Sequence, residues 1–496
     1  MSLSFRVAAA LAALTISNAA SAAWHKASTR HFVIYSEQKP DELRAYAEKL
    51  ERFDKAVRVA RSMRDPDVGD GNRVTIFVVK NVDAVQALKR DHDPNAFGFY
   101  MPRASGPVAV VPRSTPSAVD NPDTIFFHEY AHHLMLSDIN RPMPSWYIES
   151  FAEFLSTAEV RKDGSVSLGL PANHRAANLL SARAVHMSIA ELLGGKRPES
   201  RMERSSLYSR GWLLGHYLTF APNRVGQLAI YLDEFAKGRS AAEAAREAFG
   251  DLELLEKEVD KYLRAQKFPY LTLPADRLGA GSIEMQALAI GAEAAMPLFM
   301  RLQTRVKQDG QRQAAEARRL ASASPDDALV MMTLAEAEWV ADNFAAAEAA
   351  ADRAIALQPK SAEALIWKGR SMLSRAEKEN KAELFREARL VFGQANRLDP
   401  ENPEPLLYFH RSYVVQGMPP TTNAVEGLHY AAKLAPQDLG LAMSSATQYL
   451  RDGQPAKARP MLVMIAQHPH GDALGDRAEK LVAEIDRKAT GTAAAN

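Results

Sequence analysis

The segment TIFFHEYAHHLM, Thr124–Met135, decides how this sequence is read. Positions i and i+4 share one face of an α-helix. His128 and His132 therefore project together, as two neutral imidazoles must to grip one Zn²⁺. Glu129 lies beside them, where it can take a proton from a zinc-bound water. A bare H-E-x-x-H also arises by chance, and two histidines on a helix are often surface or interhelix residues. The flanks argue otherwise: Ile125, Phe126, Phe127, Ala131, Leu134 and Met135 make this a buried helix. Burying His and Glu without partners is costly. A catalytic zinc takes three protein ligands and keeps one position open. MPSWYIESFAEFLS, residues 143–156, offers Glu149 and Glu153 one helical turn apart on an otherwise apolar helix. Both could be solvated surface residues, but Phe151, Ala152, Phe154 and Leu155 leave little polar face, and Glu149 is the expected third ligand.

The rest of the chain sets the context. It has 496 residues, 61 basic and 60 acidic, with a formal net charge of +1. That balance gives no field for steering onto nucleic acid or an anionic membrane. No cysteine is present, which excludes disulfides, Cys-ligated metals and a lipid-anchored Cys. The start, MSLSFRVAAALAALTISNAASA, places Arg6 before an apolar run and ends in Ala20-Ser21-Ala22. It reads as a signal peptide, residues 1–22, and its apolar run is too short for a membrane anchor. The expectation is an exported, periplasmic protein, soluble after cleavage, with no membrane span.

Two patterns follow. Residues 23–268 are mixed. HFVIYSE, RVTIFVVKN, AFGFYMP and PVAVVP read as strands, and the stretch from Pro40 to Met63 as a helix behind a Pro-Asp start. This is an α+β layout. RAQKFPYLTLPADRLGAGS holds the expected linker, 269–280, so the two parts are expected to be separable. From 281 to 487 strand signals vanish and a repeat emerges. Ala347, Ala351, Ala354 and Pro359 recur in spacing as Ala388, Phe392, Ala395 and Pro400, then as Ala424, Leu428, Ala431 and Pro436. With weaker copies ending at Pro325 and Pro469, the prolines lie 34, 41, 36 and 33 residues apart. The pattern resembles tetratricopeptide repeats, which implies an all-α solenoid whose concave face docks a protein partner. Residues 488–496 read as a disordered tail.

H-E-x-x-H followed by WYIESFAEF resembles the gluzincin metallopeptidases, of which thermolysin and the aminopeptidase N family are branches. The resemblance implies a zincin fold over about Trp24–Lys267, one Zn²⁺ per chain on His128, His132 and Glu149, and Glu129 as general base. It places Glu153 as the carboxylate that orients His128. LYSRGWLLGHYL, residues 207–218, is similar to the Y-x-K-G helix of the aminopeptidase branch. That implies Tyr208 as oxyanion donor, with His216 two turns on as the alternative donor. Arg210 stands where lysine is usual. GPVAVVPRS could be the edge strand that pairs with a peptide substrate. No G-x-M-E-N-like segment is present to hold a free α-amine, so an endopeptidase is expected.

The functional expectation is thus an exported zinc metallopeptidase that hydrolyses peptide bonds in a protein or peptide substrate through a zinc-activated water. The alternative is a non-catalytic periplasmic scaffold on tetratricopeptide repeats, carrying a decayed peptidase domain.

Overall fold

The computed structural model describes residues 24–493 apart from 67, 91–95, 116–120, 139–140, 182–185 and 470–471. The segment read as a signal peptide lies outside the described residues. The strands are β1 (His25–Ser28), β2 (Phe32–Ser36), β3 (Val74–Val79), β4 (Phe99–Met101), β5 (Val108–Pro112), β6 (Glu159–Val160), β7 (Val166–Leu168), β8 (Leu271–Leu273) and β9 (Glu284–Ala287). Six form one sheet in the order β4-β5-β3-β2-β1-β9, and β6-β7-β8 form a second. Within the larger sheet β2, β3 and β5 run parallel, while β1, β4 and β9 are antiparallel to their neighbours.

Helices cover the larger sheet. They begin with α1 (Pro40–Arg61), α2 (Val82–Leu88), α3 (Pro122–Asp138), α4 (Ser145–Ser156), α5 (Ala176–Leu180), α6 (Ile189–Leu193) and α7 (Arg201–Phe220). Next come α8 (Gln227–Ala236), α9 (Ala241–Phe249), α10 (Leu252–Ala265) and α11 (Ile290–Gln303). Alternation along the strands sends Phe32, Ile34, Ile76, Val78, Ala109 and Val111 into a core with residues of α1 and α3. Val33, Tyr35, Phe77, Val79, Val108 and Val110 face the other way, onto Val85 and Leu88 of α2 and Met296, Phe299 and Met300 of α11.

The remaining helices are α12 (Gly310–Ala323), α13 (Ala328–Val340), α14 (Phe344–Leu357), α15 (Ala362–Glu379), α16 (Ala382–Leu398), α17 (Pro403–Val415), α18 (Thr422–Leu434), α19 (Leu439–Arg451), α20 (Pro455–Gln467) and α21 (Asp472–Ala493). From α11 to α20 they stack as successive pairs, with α21 packed on the last. The repeated small residues are the contact points: Ala347, Ala351 and Ala354 of α14, Ala388, Phe392 and Ala395 of α16, and Ala424, Leu428 and Ala431 of α18 are all buried. The charged insertion SRAEKENKAELF becomes the end of α15 and the start of α16, joined through Asn380 in the left-handed region (φ 52°). α21 continues to Ala493, past the residue at which a tail was expected.

The sheet runs on beyond the residues read as a linker. Leu271–Leu273, inside that segment, is β8, and it pairs with β7. β9 then pairs with β1 over His25–Ser28. α11 is the first helix of the array and also part of the sheet's core. Further contacts bind the two halves. The Gly71 amide donates to Asp399 (3.0 Å), Asn72 Nδ2 to the Leu434 carbonyl (2.5 Å) and the Ala104 amide to Asp438 (2.8 Å). Between the sheet and helices α13, α15 and α17 lies a cavity of about 1940 Å³, lined among others by Lys26, Arg103, Trp339, Glu363, Trp367 and Arg370. The inner face of the array thus looks onto the chain's own sheet rather than only onto solvent.

One polar cluster is buried in the core. His31 Nδ1 lies 2.8 Å from Glu51, Tyr130 donates to Asp54 (2.8 Å), and Arg58 Nε donates to Asp54 (2.7 Å). Burial works against a charged imidazole at His31, but the Glu51 hydrogen bond and the Asp54 charge outweigh it and raise its pKa.

Two predictions follow from this packing. A chain ending at residue 280 loses β9 and α11 and uncovers one face of the sheet, so it should fail to give a cooperative thermal transition, whereas one ending after Gln303 should retain it. The His31 ion pair contributes stability that is fully present below the ordinary histidine value and lost as pH rises through the raised one. Replacing His31 by Phe should therefore remove a part of the high-pH decline in unfolding free energy, measured by urea titration across pH 6 to 9.

Candidate metal centre

Helix α3 carries the H-E-x-x-H segment, and its apolar side chains Phe126, Phe127, Tyr130, Ala131 and Leu134 are buried in the main core. That burial fixes the helix and turns His128 and His132 to the opposite side. Helix α4 packs against α3. Every residue from Trp146 to Ser156 is buried, so Glu149 and Glu153 are not surface carboxylates; each is 0% exposed. The expectation that these two acids lie inside the protein is met.

The three expected ligands come together. His128 Nε2 lies 3.2 Å from His132 Nε2, and Glu149 Oε2 lies 3.4 Å from the first and 3.7 Å from the second. Zinc bonds of roughly 2.0–2.1 Å in a tetrahedron put neighbouring donor atoms about 3.3 Å apart. The triangle therefore has the size a tetrahedral zinc requires, and its two nitrogens and one oxygen are donors that zinc accepts. The electrostatics agree. Burial disfavours a charged His128, yet hydrogen bonds to Glu149 and Glu153 raise its pKa to about 10. The two carboxylates that flank this imidazole thus favour positive charge on it.

Glu153 holds His128 from behind, its Oε1 3.2 Å from Nδ1. The same carboxylate takes His174 Nε2 at 2.9 Å and Arg175 Nε at 2.9 Å, with Arg175 Nη2 on its other oxygen at 2.5 Å. Burial pushes this carboxyl up, but the Arg175 hydrogen bonds and charge, then His128 and His174, hold it well below the usual range. His174 and Arg175 were not singled out from the sequence. A buried acid such as Glu153 demands a cation, but the demand does not say which one.

Tyr208, on α7, is placed beside this cage. Its ring centre is 5.9 Å from that of His128, and the Arg175 guanidinium carbon lies 5.0 Å from the same ring. Burial, then the charges of Glu149, Glu129 and Glu153, push its phenol well above the ordinary range, so it keeps its proton and can donate. The approach of α7 to α4 depends on small residues. A Cβ at Gly215 would sit 2.0 Å from Ser150 Oγ, and one at Gly211 would touch the Trp146 carbonyl at 3.5 Å. Arg210 points elsewhere, onto Asp260 (2.9 Å) and Glu256 of α10.

His216 is not brought to the cage. Its Nε2 donates to the Gly169 carbonyl (2.9 Å), and its Nδ1 takes the Tyr262 hydroxyl (2.8 Å). Phe154, Trp212, Phe220 and Phe268 surround the ring. Burial lowers its pKa to about 4, which keeps it neutral and structural. The residues 106–114 are not at the sheet edge either: β5 lies between β3 and β4, and β4, Phe99–Met101, is the outer strand. Tyr100 on that strand hydrogen-bonds His133 of α3 (2.9 Å), which fixes the edge beside α3. Among the described residues His31, Glu51 and Asp54 also cluster tightly enough for a metal, but Arg58 already supplies the cation there.

No protein-family model and no curated protein matches this sequence. Solved structures similar to the chain are helical-repeat proteins. A thermophilic TPR protein of Thermus thermophilus is 16% identical, with 38% of this chain and 94% of that one covered and a TM-score of 0.31. MamA from Desulfovibrio magneticus is 14% identical over 41% of this chain and 98% of its own, with a TM-score of 0.28. Yeast Tom70 is 13% identical over 73% of each chain, again with a TM-score of 0.28.

Loss of the support behind His128 should weaken metal binding without abolishing it. Glu153→Ala and Arg175→Ala should each lower zinc affinity by roughly 10–100-fold, as removal of such partners does elsewhere. Competition against a chromophoric chelator measures this; His216→Phe, tested alongside, should leave the affinity unchanged.

Proposed function

We propose that this chain is a zinc-dependent peptidase of gluzincin type whose helix pairs present or select its polypeptide substrate. The observation that carries the proposal is the triangle of His128, His132 and Glu149, sized for tetrahedral zinc and backed by Glu153. Bound there, zinc supplies Lewis acidity that polarises a peptide carbonyl and acidifies water. The chain's own residues do the rest. Glu129, half-buried on the same helix, accepts the proton of the attacking water and passes it to the leaving amine. The Tyr208 hydroxyl donates to the oxygen that gains charge. The outer edge of β4 offers backbone groups to an extended substrate. Glu153 keeps the His128 ring in register, with Arg175 and His174 keeping Glu153 charged.

A second reading is a non-catalytic binding scaffold built on tetratricopeptide-type repeats. The similar solved structures are repeat proteins, and none of them speaks for a hydrolase, so they sit closer to this reading. Against it stand Glu129 and Tyr208, which a pure scaffold does not need beside a metal cage.

The full-length protein should bind one zinc by elemental analysis, and Glu149→Ala or His132→Ala should lose most of it. Glu129→Gln should keep the metal and abolish cleavage of an unfolded protein substrate. Tyr208→Phe should keep both metal and thermal stability yet lower kcat by about a hundredfold to a thousandfold, the effect of losing one oxyanion donor. A zinc-loaded wild-type protein that binds unfolded polypeptide and never cleaves it would establish the scaffold instead.

A further inference from the structure

The end of the repeat array reaches the metal cage. The His468 ring lies 6.4 Å, centre to centre, from that of His132, although the two are more than three hundred residues apart in sequence. His468 caps α20, where its amide donates to the Ile465 carbonyl (3.3 Å). Its position is fixed from both sides. Ala458, Leu462, Ile465 and Ala466 of α20 are buried in a core shared with α21. Arg197, four residues before α7, donates to the Ala466 carbonyl (3.0 Å) and pairs with Glu479 (3.2 Å) and Asp476 (3.7 Å) of α21. α7 is the helix that carries Tyr208. Arg197 thus ties the last repeat to the chain segment that leads into the other wall of the site.

His468 is not a fourth ligand at this distance. The rings of His128 and His132 are 4.9 Å apart, the separation of two imidazoles sharing one ion, and His468 stands 1.5 Å further out from His132 than that. It is within reach of a group held at the cage instead. An imidazole offers one donor and one acceptor, both of which suit a peptide backbone.

We propose that α20 and α21 form the His132-side wall of the metal cleft and that His468 contacts the polypeptide bound there, a role that rests on the peptidase reading above. Tyr208 stands on the His128 side and His468 on the His132 side. A substrate lying between a sheet edge and two such walls is an extended, unfolded segment. The repeats then belong to the active site itself and exclude compact protein from it.

The test uses the full-length, zinc-loaded Glu129→Gln protein with β-casein as an unfolded polypeptide. Carbethoxylation of His468 by diethylpyrocarbonate is followed by mass spectrometry with and without β-casein. Bound β-casein should slow modification of His468 severalfold. In the otherwise wild-type chain, His468→Ala should retain full zinc and lose roughly tenfold in kcat/KM, the scale of one lost hydrogen bond to substrate, and His468→Gln should recover part of it. Arg197→Ala, a surface change, should reproduce the loss by freeing the wall. The inference is overturned if β-casein binds and His468 reacts as fast as before, or if His468→Ala loses zinc. A wild-type protein that cleaves β-casein while His468→Ala is equally active removes this role and leaves the peptidase reading standing. A zinc-loaded protein that neither binds nor cleaves β-casein removes both.

Discussion

Everything at the candidate metal centre depends on two carboxylates buried on one face of α4. Glu149 and Glu153 have no exposed surface, and an ionised carboxylate in such a place is tolerated only beside positive charge. The fold surrounds them with His128, His132, His174 and Arg175. Arg175 and His174 satisfy Glu153. Glu149 Oε2 lies 3.4 Å from His128 Nε2 and 3.7 Å from His132 Nε2. The proposed zinc site would make use of that buried charge.

The second organising element is α11. It is at once the first helix of the array and a face of the larger sheet's core, and β9 before it completes that sheet. This shared segment fixes where the array begins. Gly71, Asn72 and Ala104 hold its middle, and Arg197 holds its far end. An array tethered at three places along its length cannot act as a freely moving docking module. Its inner face borders a cavity shared with the sheet, with Arg370 lying 4.0 Å and 4.6 Å over the rings of Trp367 and Trp339. The array and the sheet domain are therefore joined by the packing of one molecule, not by a flexible joint between two.

The sequence by itself determined the local parts. Helical spacing put His128 and His132 on one face, and the apolar neighbours of Glu149 and Glu153 showed that these acids are inside. The alanine steps and prolines marked the helix pairs, and alternation in HFVIYSE and RVTIFVVKN gave the central strands. These signals are legible because each rests on the period of one element or on the composition of one face. Short strands without alternation, β1 and β6 to β9, carry no such mark, so no local pattern announces the pairing of Glu284–Ala287 with the first strand. Only the tertiary structure decided which groups meet. It chose Arg175 and His174 as partners of Glu153, sent His216 to Gly169 and Tyr262 instead of to the cage, put β4 rather than β5 at the edge, and carried His468 back to His132. Each of those pairings joins residues distant in sequence, and no periodicity links them. They follow from how the sheet, α11 and the array close on one another, which is a property of packing and not of any one segment.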